Sequence, residues 1–313
     1  MQKEKVDDMG YMYTTRCSLL VSSSDNYGTT WYPYFELIKR YWKNHPQQIY
    51  LNAETVGYED KELNIISVFG GREATWSERL YRCLERIPTE YVIFSLEDAF
   101  LLGEVDDQAI EQCLKWMEAD KNIAVCRLKE SDNPNLQKSE KYGDFRIAGD
   151  DIGFRLETQV ALWRREALMQ FIDLREDPWQ FEGCGTERIK GCGKTFLWFY
   201  MEEAETIEKM VYPYHIDQKC GYGVAWGRWL WKNKPWFEKN GISNVKYHVL
   251  GVLPEWSVKL RFRFLYRVGR DKATGIEKIV WKMYRQVDRV EKGLIQLRTR
   301  GLKAGWKEIR KRM

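Results

Sequence analysis

The sequence predicts an α/β protein, a β-sheet flanked by helices. Short apolar runs alternate with amphipathic helical patterns from residue 16 to about residue 172, with short joins between them. One apolar run, Tyr91 to Leu96, stops abruptly at two adjacent carboxylates, Glu97 and Asp98. Its length suits one buried strand, and the carboxyl ends of strands are where open α/β sheets bind ligands. No window approaches 18 uncharged apolar residues, so no membrane-spanning helix is expected.

Each element has its own signal. Arg16 to Val21 reads as a first strand and Ser22 to Gly28 as a polar loop. From Thr30 to Lys43, Trp31, Tyr34, Phe35, Ile38, Tyr41 and Trp42 recur at helical spacing, with Pro33 in the first turn, where it is tolerated. Gln48 to Leu51 and Leu63 to Val68 read as strands. Thr75-Trp76-Ser77-Glu78 has the capping-box form and opens a helix carrying Leu80, Leu84 and Ile87. After the strand ending at Glu97-Asp98, a helix is expected over Val105 to Asp120 and a strand over Ile123 to Leu128. Residues 129–150 read as a loop, Phe154 to Trp163 as a strand and Arg164 to Ile172 as a helix. Residues 173–250 are less regular.

Composition bounds the function classes. At 313 residues and 44% hydrophobic content, the chain suits one large α/β domain or two small ones. Seven scattered Cys with no Cys-x-x-Cys pair, and a charged Met1–Gly10 stretch unlike a signal peptide, point to reduced thiols in a cytosolic protein. The net charge of +4 conceals a division. Residues 251–313 hold 18 Lys/Arg against 6 Asp/Glu, and residues 1–250 are net acidic. From Thr274 onward Ile276, Val280, Met283, Val287, Val290, Leu294 and Leu297 form one stripe, with basic residues on the other face. Such a helix suits an anionic membrane surface, or packs on its own domain or a partner chain. Two domains are therefore expected, 1–250 and a basic amphipathic tail, 251–313.

The Glu97-Asp98 pair has two readings. One is a divalent-metal site holding a diphosphate, because Mg²⁺ and Mn²⁺ take one or two carboxylates and let substrate phosphates complete the shell. The other is a solvated acidic turn. In Gly221 to Trp229, glycines beside Arg228 would let backbone approach a phosphate while the guanidinium pairs with it; on chemistry alone a Gly-rich aromatic turn is the preferred reading. Gly191-Cys192-Gly193-Lys194-Thr195 resembles the end of a Walker A loop, but Arg188 stands where the first glycine is required. There is no Gly-x-Ser-x-Gly elbow. With only three His, and with Cys184, Cys192 and Cys220 at no usual zinc spacing, His- or Cys-rich metal sites are not expected.

Several segments occur together in a characteristic order: Leu20 to Tyr27 before an aromatic helix, Tyr50-Leu51-Asn52-Ala53-Glu54, Trp76 to Leu80, Tyr91 to Leu102, Ala161 to Leu168, and Pro178-Trp179-Gln180-Phe181-Glu182. Over residues 16–230 this set resembles bacterial glycosyltransferases of the GT-A fold, of the kind found among capsule and O-antigen genes. The resemblance implies a GT-A-like, Rossmann-like mixed sheet and transfer of a sugar from a nucleotide donor, UDP-linked, to a glycan or lipid-linked acceptor. It implies that Glu97-Asp98 stands for the family's metal-binding Asp-x-Asp-like motif, from which it departs at Leu96 and Phe100. Mn²⁺ or Mg²⁺ is the implied cofactor, with His215 as a further ligand. Ser22, Ser23, Asp25 and Tyr27 match the loop that holds base and ribose, Asp25 foremost. Arg79 is expected to face uridine or diphosphate.

The chemistry asks for the same parts. The leaving diphosphate must be neutralised by metal or by arginine, and inversion needs a base on the acceptor hydroxyl. Asp177 and Glu182 are the candidate bases. Glu182 is favoured because it follows Trp179 and Phe181, and an apolar wall raises a carboxylate's pKa to a useful value. Trp179, Phe181 and Trp226 read either as sugar-stacking platforms or as buried core. Lipid-linked acceptors at the inner face of the cell membrane would give the basic tail a role, making the protein cytoplasmic and peripheral.

Three other classes compete. A nucleotidyltransferase should carry a Gly-rich basic loop after its first strand, and Ser22-Ser23-Ser24-Asp25 holds neither Lys nor Arg. A nucleic-acid-binding protein fits poorly with a net acidic body and no recognisable nucleic-acid motif, so no nucleic-acid partner is expected. A scaffold using the basic tail would tolerate the imperfect metal motif.

Overall fold

The computed structural model describes residues 11–202, 207–214, 224–225, 228–230, 233–243 and 252–253. The chain divides into two units, Met1–Ile216 and Asp217–Met313. The amphipathic pattern expected from Thr274 to Met313 lies outside the described residues.

In the first unit a single helical turn, α1 (Tyr13–Arg16), leads into β1 (Cys17–Ser22). A 3-10 turn over Asp25–Tyr27 passes into α2 (Gly28–Tyr41). Then come β2 (Ile49–Ala53), β3 (Ile65–Phe69), α3 (Trp76–Arg86), β4 (Tyr91–Leu96), α4 (Asp107–Ala119) and β5 (Ile123–Ser131). After them stand β6 (Phe145–Ile147), β7 (Ala161–Arg164), α5 (Arg165–Phe171), α6 (Pro178–Arg188) and β8 (Thr195–Tyr200). The eight strands form one mixed sheet in the order β3-β2-β1-β4-β7-β5-β8-β6, flanked by helices. β1 to β5 and β8 all run one way; β6 and β7 run against them.

The apolar runs are explained by where their strands lie. β1 and β2 are buried at every residue, and β4 at all but its last, as expected of parallel strands covered on both faces. β3, at the edge, is mostly exposed. Leu19, Leu20 and Ile93 have no solvent exposure; truncating such a side chain to Ala costs roughly 2–5 kcal/mol. The expected capping box is present: Thr75 Oγ1 accepts from the Glu78 amide at 3.0 Å, and Glu78 accepts from the Thr75 amide.

Three expectations are corrected. The strand expected over Phe154 to Trp163 begins only at Ala161. Phe154 takes a left-handed φ of 54°, and the amides of Leu156 and Thr158 donate to side chains of α6 instead of to a neighbouring strand. The loop expected over 129–150 gives three residues to the end of β5 and three to β6. The less regular stretch after residue 173, for which the sequence assigns no element, contains α6 and the buried strand β8, and Gly191-Cys192-Gly193 is the turn between them.

The second unit has a small sheet of β9 (Val224–Ala225), β10 (Arg228–Leu230) and β11 (Val252–Leu253) in the order β11-β10-β9. It also holds α7 (Asn233–Lys239), whose Phe237 packs edge-on to Trp229.

Candidate active site

Strand order locates the site. After β1 the chain builds outward through β2 and β3, then returns to lay β4 on the other side of β1. This reversal opens a crevice at the carboxyl ends of β1 and β4, the usual ligand position in such sheets. Ser22 is paired with Leu96 in the register, so Ser23-Ser24 and Glu97-Asp98 leave adjacent strands side by side.

The two acids are not a solvated turn. Glu97 is 5% exposed, and Asp98 Oδ1 is shut off from solvent with no hydrogen-bond partner among the described residues. Burial raises both carboxyls: Asp98 to about 7, and Glu97 well above its ordinary value, with the charge of Asp98 adding to the effect. The Ser23 hydroxyl faces Glu97 and opposes the shift. A buried carboxylate oxygen without a partner is costly, and a cation is one way to satisfy it.

Two indoles set the serines beneath. Trp31 Nε1 donates to Ser23 Oγ at 2.8 Å, and Trp76 Nε1 donates to Ser22 Oγ at 3.1 Å. Tyr27 ends the 3-10 turn and precedes α2, and its carbonyl accepts from the Thr30 hydroxyl. Asp25 binds the protein itself. Its Oδ1 accepts from the backbone amides of Glu54, Thr55 and Val56, and its Oδ2 from the Thr55 hydroxyl at 2.6 Å, with Arg72 at 3.5 Å. It thereby ties together the loops after β1, β2 and β3. Asp25→Ala would leave three amides and a hydroxyl to find water, costing about 2 kcal/mol and lowering the midpoint of thermal unfolding by roughly 5 °C, as calorimetry would show.

Arg79, on α3, is buried. Its Nη1 donates to the Ala74 carbonyl at 2.8 Å and lies 3.9 Å from Glu54, and its Nε is without a partner among the described residues. Burial depresses its pKa, while the charges of Glu54 and Asp25 act the other way. Asn52, at the end of β2, is fully buried, and neither atom of its carboxamide has a partner among the described residues. A lone carboxamide in the apolar run Ile49 to Ala53 was the available signal for Asn52.

A second group stands on the other side of β4. Because β7 runs backwards, its start lies at the carboxyl edge of the sheet, and the residues leading into it, Glu157 to Val160, lie there too. Thr158 holds Glu182: its amide and hydroxyl both donate to Glu182 Oε1, at 2.9 and 2.6 Å. α6 comes this close because Gly185 has no side chain; a Cβ there would lie 2.5 Å from Leu156 Cδ2. Glu157 pairs with Arg127 of β5 at 2.6 Å, and the Arg127 guanidinium lies 4.4 Å over the Trp198 ring. Burial pushes the Glu157 carboxyl up to about 7; Arg127 opposes this and Glu182 adds to it. A lone arginine within the apolar run Ile123 to Leu128 was the available signal for this group.

The other expected site residues fall as follows. Asp177 caps α6, accepting from the Gln180 amide at 2.8 Å while the Gln180 side chain accepts from the Asp177 amide. Phe181 is core, 2% exposed and packed on Trp76, which leaves Trp179, 67% exposed, as the ring free to meet a ligand. Pro213 and Val211 pair with Leu102 and Asp106, which brings the Tyr214 hydroxyl to Gln159 at 2.6 Å. His215 and Trp226 lie outside the described residues, and Arg228 begins β10 of the second unit.

No protein-family model and no curated protein matches the sequence. Solved structures do resemble the fold. A mannosyltransferase from Pyrobaculum calidifontis, in complex with GDP-Man and Mn²⁺, aligns with 62% of this chain and 58% of its own, at 11% identity and a TM-score of 0.40. Residues 1–349 of S. aureus TarS in complex with UDP align with 60% of this chain and 61% of their own, at 8% identity and a TM-score of 0.41. UTP-bound UGPase from Acinetobacter baumannii aligns with 60% of this chain and 86% of its own, at 8% identity and a TM-score of 0.38. The matches to the first two span less than two thirds of those chains.

Within the described residues no group of three or more His, Cys, Asp or Glu gathers as a metal cage. Glu97 and Asp98 nonetheless fit a cation of the kind that keeps oxygen ligands from its substrate. Two carboxylates are enough for that, and Asp98 Oδ1 is unpartnered. No helix among the described residues is long and apolar enough to cross a membrane.

Proposed function

We propose that the protein is a glycosyltransferase that moves a sugar from a UDP-linked donor to a glycan or lipid-linked saccharide in surface-polysaccharide synthesis. The observation that carries this reading is the pair of acids, buried Glu97 and half-buried Asp98 with its Oδ1 shut off from solvent, beside Ser22-Ser23 at the crevice where the strand order reverses. The ordered sequence resemblance over residues 16–230 supports it, as does the absence of Lys and Arg from the Ser22–Asp25 loop, which a nucleotidyltransferase would need.

In this reading Asn52 and Arg79 line the base and ribose side, and Asp25 and Tyr27 shape the loop against which the nucleoside lies. Glu97 and Asp98 would hold Mn²⁺ or Mg²⁺, with His215 as a further ligand, and the ion would supply positive charge for the leaving diphosphate. Glu182 takes the proton of the acceptor hydroxyl as that oxygen attacks the anomeric carbon and the bond to UDP breaks. Asp177 starts the helix that carries Glu182, and Trp179 offers a stacking face to the acceptor. Residues 1–250 form the transferase, and the basic tail from 251 docks on anionic lipid at the inner membrane face.

Calorimetric titration of UDP into the full chain tests the reading. Micromolar binding with Mn²⁺, at least about tenfold weaker in EDTA, is expected. No binding of UDP or of any other nucleoside diphosphate, with or without metal, would sink it.

A further inference from the structure

We infer that Thr158 is a positioning residue that fixes the carboxylate of Glu182 and sets which of its oxygens faces the acceptor. The inference rests on the proposed role of Glu182 as base. Thr158 donates twice to one oxygen, from its amide at 2.9 Å and its hydroxyl at 2.6 Å. With two donors fixed on Oε1, rotation of the carboxyl is blocked and Oε2 is the oxygen left for an incoming hydroxyl.

A helix side chain ordinarily samples several rotamers. Here it is held from a separate segment, and that segment is itself anchored. Its next residue back, Glu157, is paired with Arg127, and the Leu156 amide donates to the Thr186 hydroxyl at 3.0 Å. A base aligned in advance does not have to be ordered at the moment of reaction.

The test uses the full chain labelled with [δ-¹³C]glutamate, in which the Glu182 carboxyl resonance is assigned by its loss in Glu182→Gln. Thr158→Val removes the hydroxyl and keeps the amide and the shape; Thr158→Ser restores the hydroxyl, and Thr158→Ala serves if valine crowds the site. In Thr158→Val the Glu182 carboxyl resonance should shift from its wild-type position, and Thr158→Ser should return it. Over a panel of UDP-hexoses and UDP-N-acetylhexosamines, kcat should fall about tenfold in Thr158→Val with the KM for the donor unchanged, and Thr158→Ser should restore it. A folded Thr158→Val protein that keeps the wild-type resonance and the wild-type kcat overturns the inference. Undiminished turnover in Glu182→Gln would instead overturn the base assignment, and the resonance would still report the clamp.

Discussion

Asp98→Asn should bind UDP no better with Mn²⁺ than without it, a loss of at least about tenfold in the affinity measured with metal, the same factor that EDTA removes from the wild type. The same substitution should raise the midpoint of thermal unfolding of the metal-free protein by a few degrees. In the wild type, Asp98 Oδ1 is buried without a partner beside Glu97, and neutralising it removes that cost. Calorimetric titration and thermal unfolding on the same two samples check both signs together. Metal-dependent UDP binding that survives in Asp98→Asn would move the site elsewhere; a protein that becomes less stable would show that the carboxylate has a structural partner.

Glu182→Gln should lower turnover of the donor by roughly 10²–10⁴-fold while leaving UDP affinity within about twofold of wild type. The amide keeps an oxygen for the Thr158 amide and hydroxyl, so the clamp and the fold survive, and only the ability to take a proton is removed. Asp177→Asn should have little effect on turnover, because asparagine caps a helix about as well as aspartate and can still accept from the Gln180 amide. If the two variants exchange behaviour, the roles of these acids are reversed.

Much of the first unit was legible because its strands are short and fully buried, and such strands appear as plain apolar runs. β1, β4 and the capping box of α3 fall where the pattern puts them. β8 was hidden because Thr195 to Tyr200 follows a glycine- and cysteine-rich turn and carries mostly aromatics, with no alternation to mark it. Residues 154–160 look like a strand because they join an apolar segment, yet their amides turn to the hydroxyl of Thr186 and the carboxylate of Glu182, a long-range exchange invisible to local periodicity. The acids at the end of β4 were legible as a pair. That Asn52 and Arg79 carry unpartnered buried atoms near the same edge depends on packing between distant segments, which residue types alone do not reveal.

The backward strand β7 has a consequence for how the protein comes to be folded. It is four residues long, and among the described residues it alone joins β3-β2-β1-β4, complete by residue 96, to β5-β8-β6, which the chain supplies between residues 123 and 200. Until β7 docks, β4 and β5 each offer a bare edge to any other extended chain. Emergence from the ribosome therefore leaves a half-sheet waiting for its closing strand, a slow, non-local pairing of the kind that exposes a chain to aggregation. Substitutions in Ala161–Arg164 should accordingly reduce soluble yield more than their effect on the finished protein's stability would suggest.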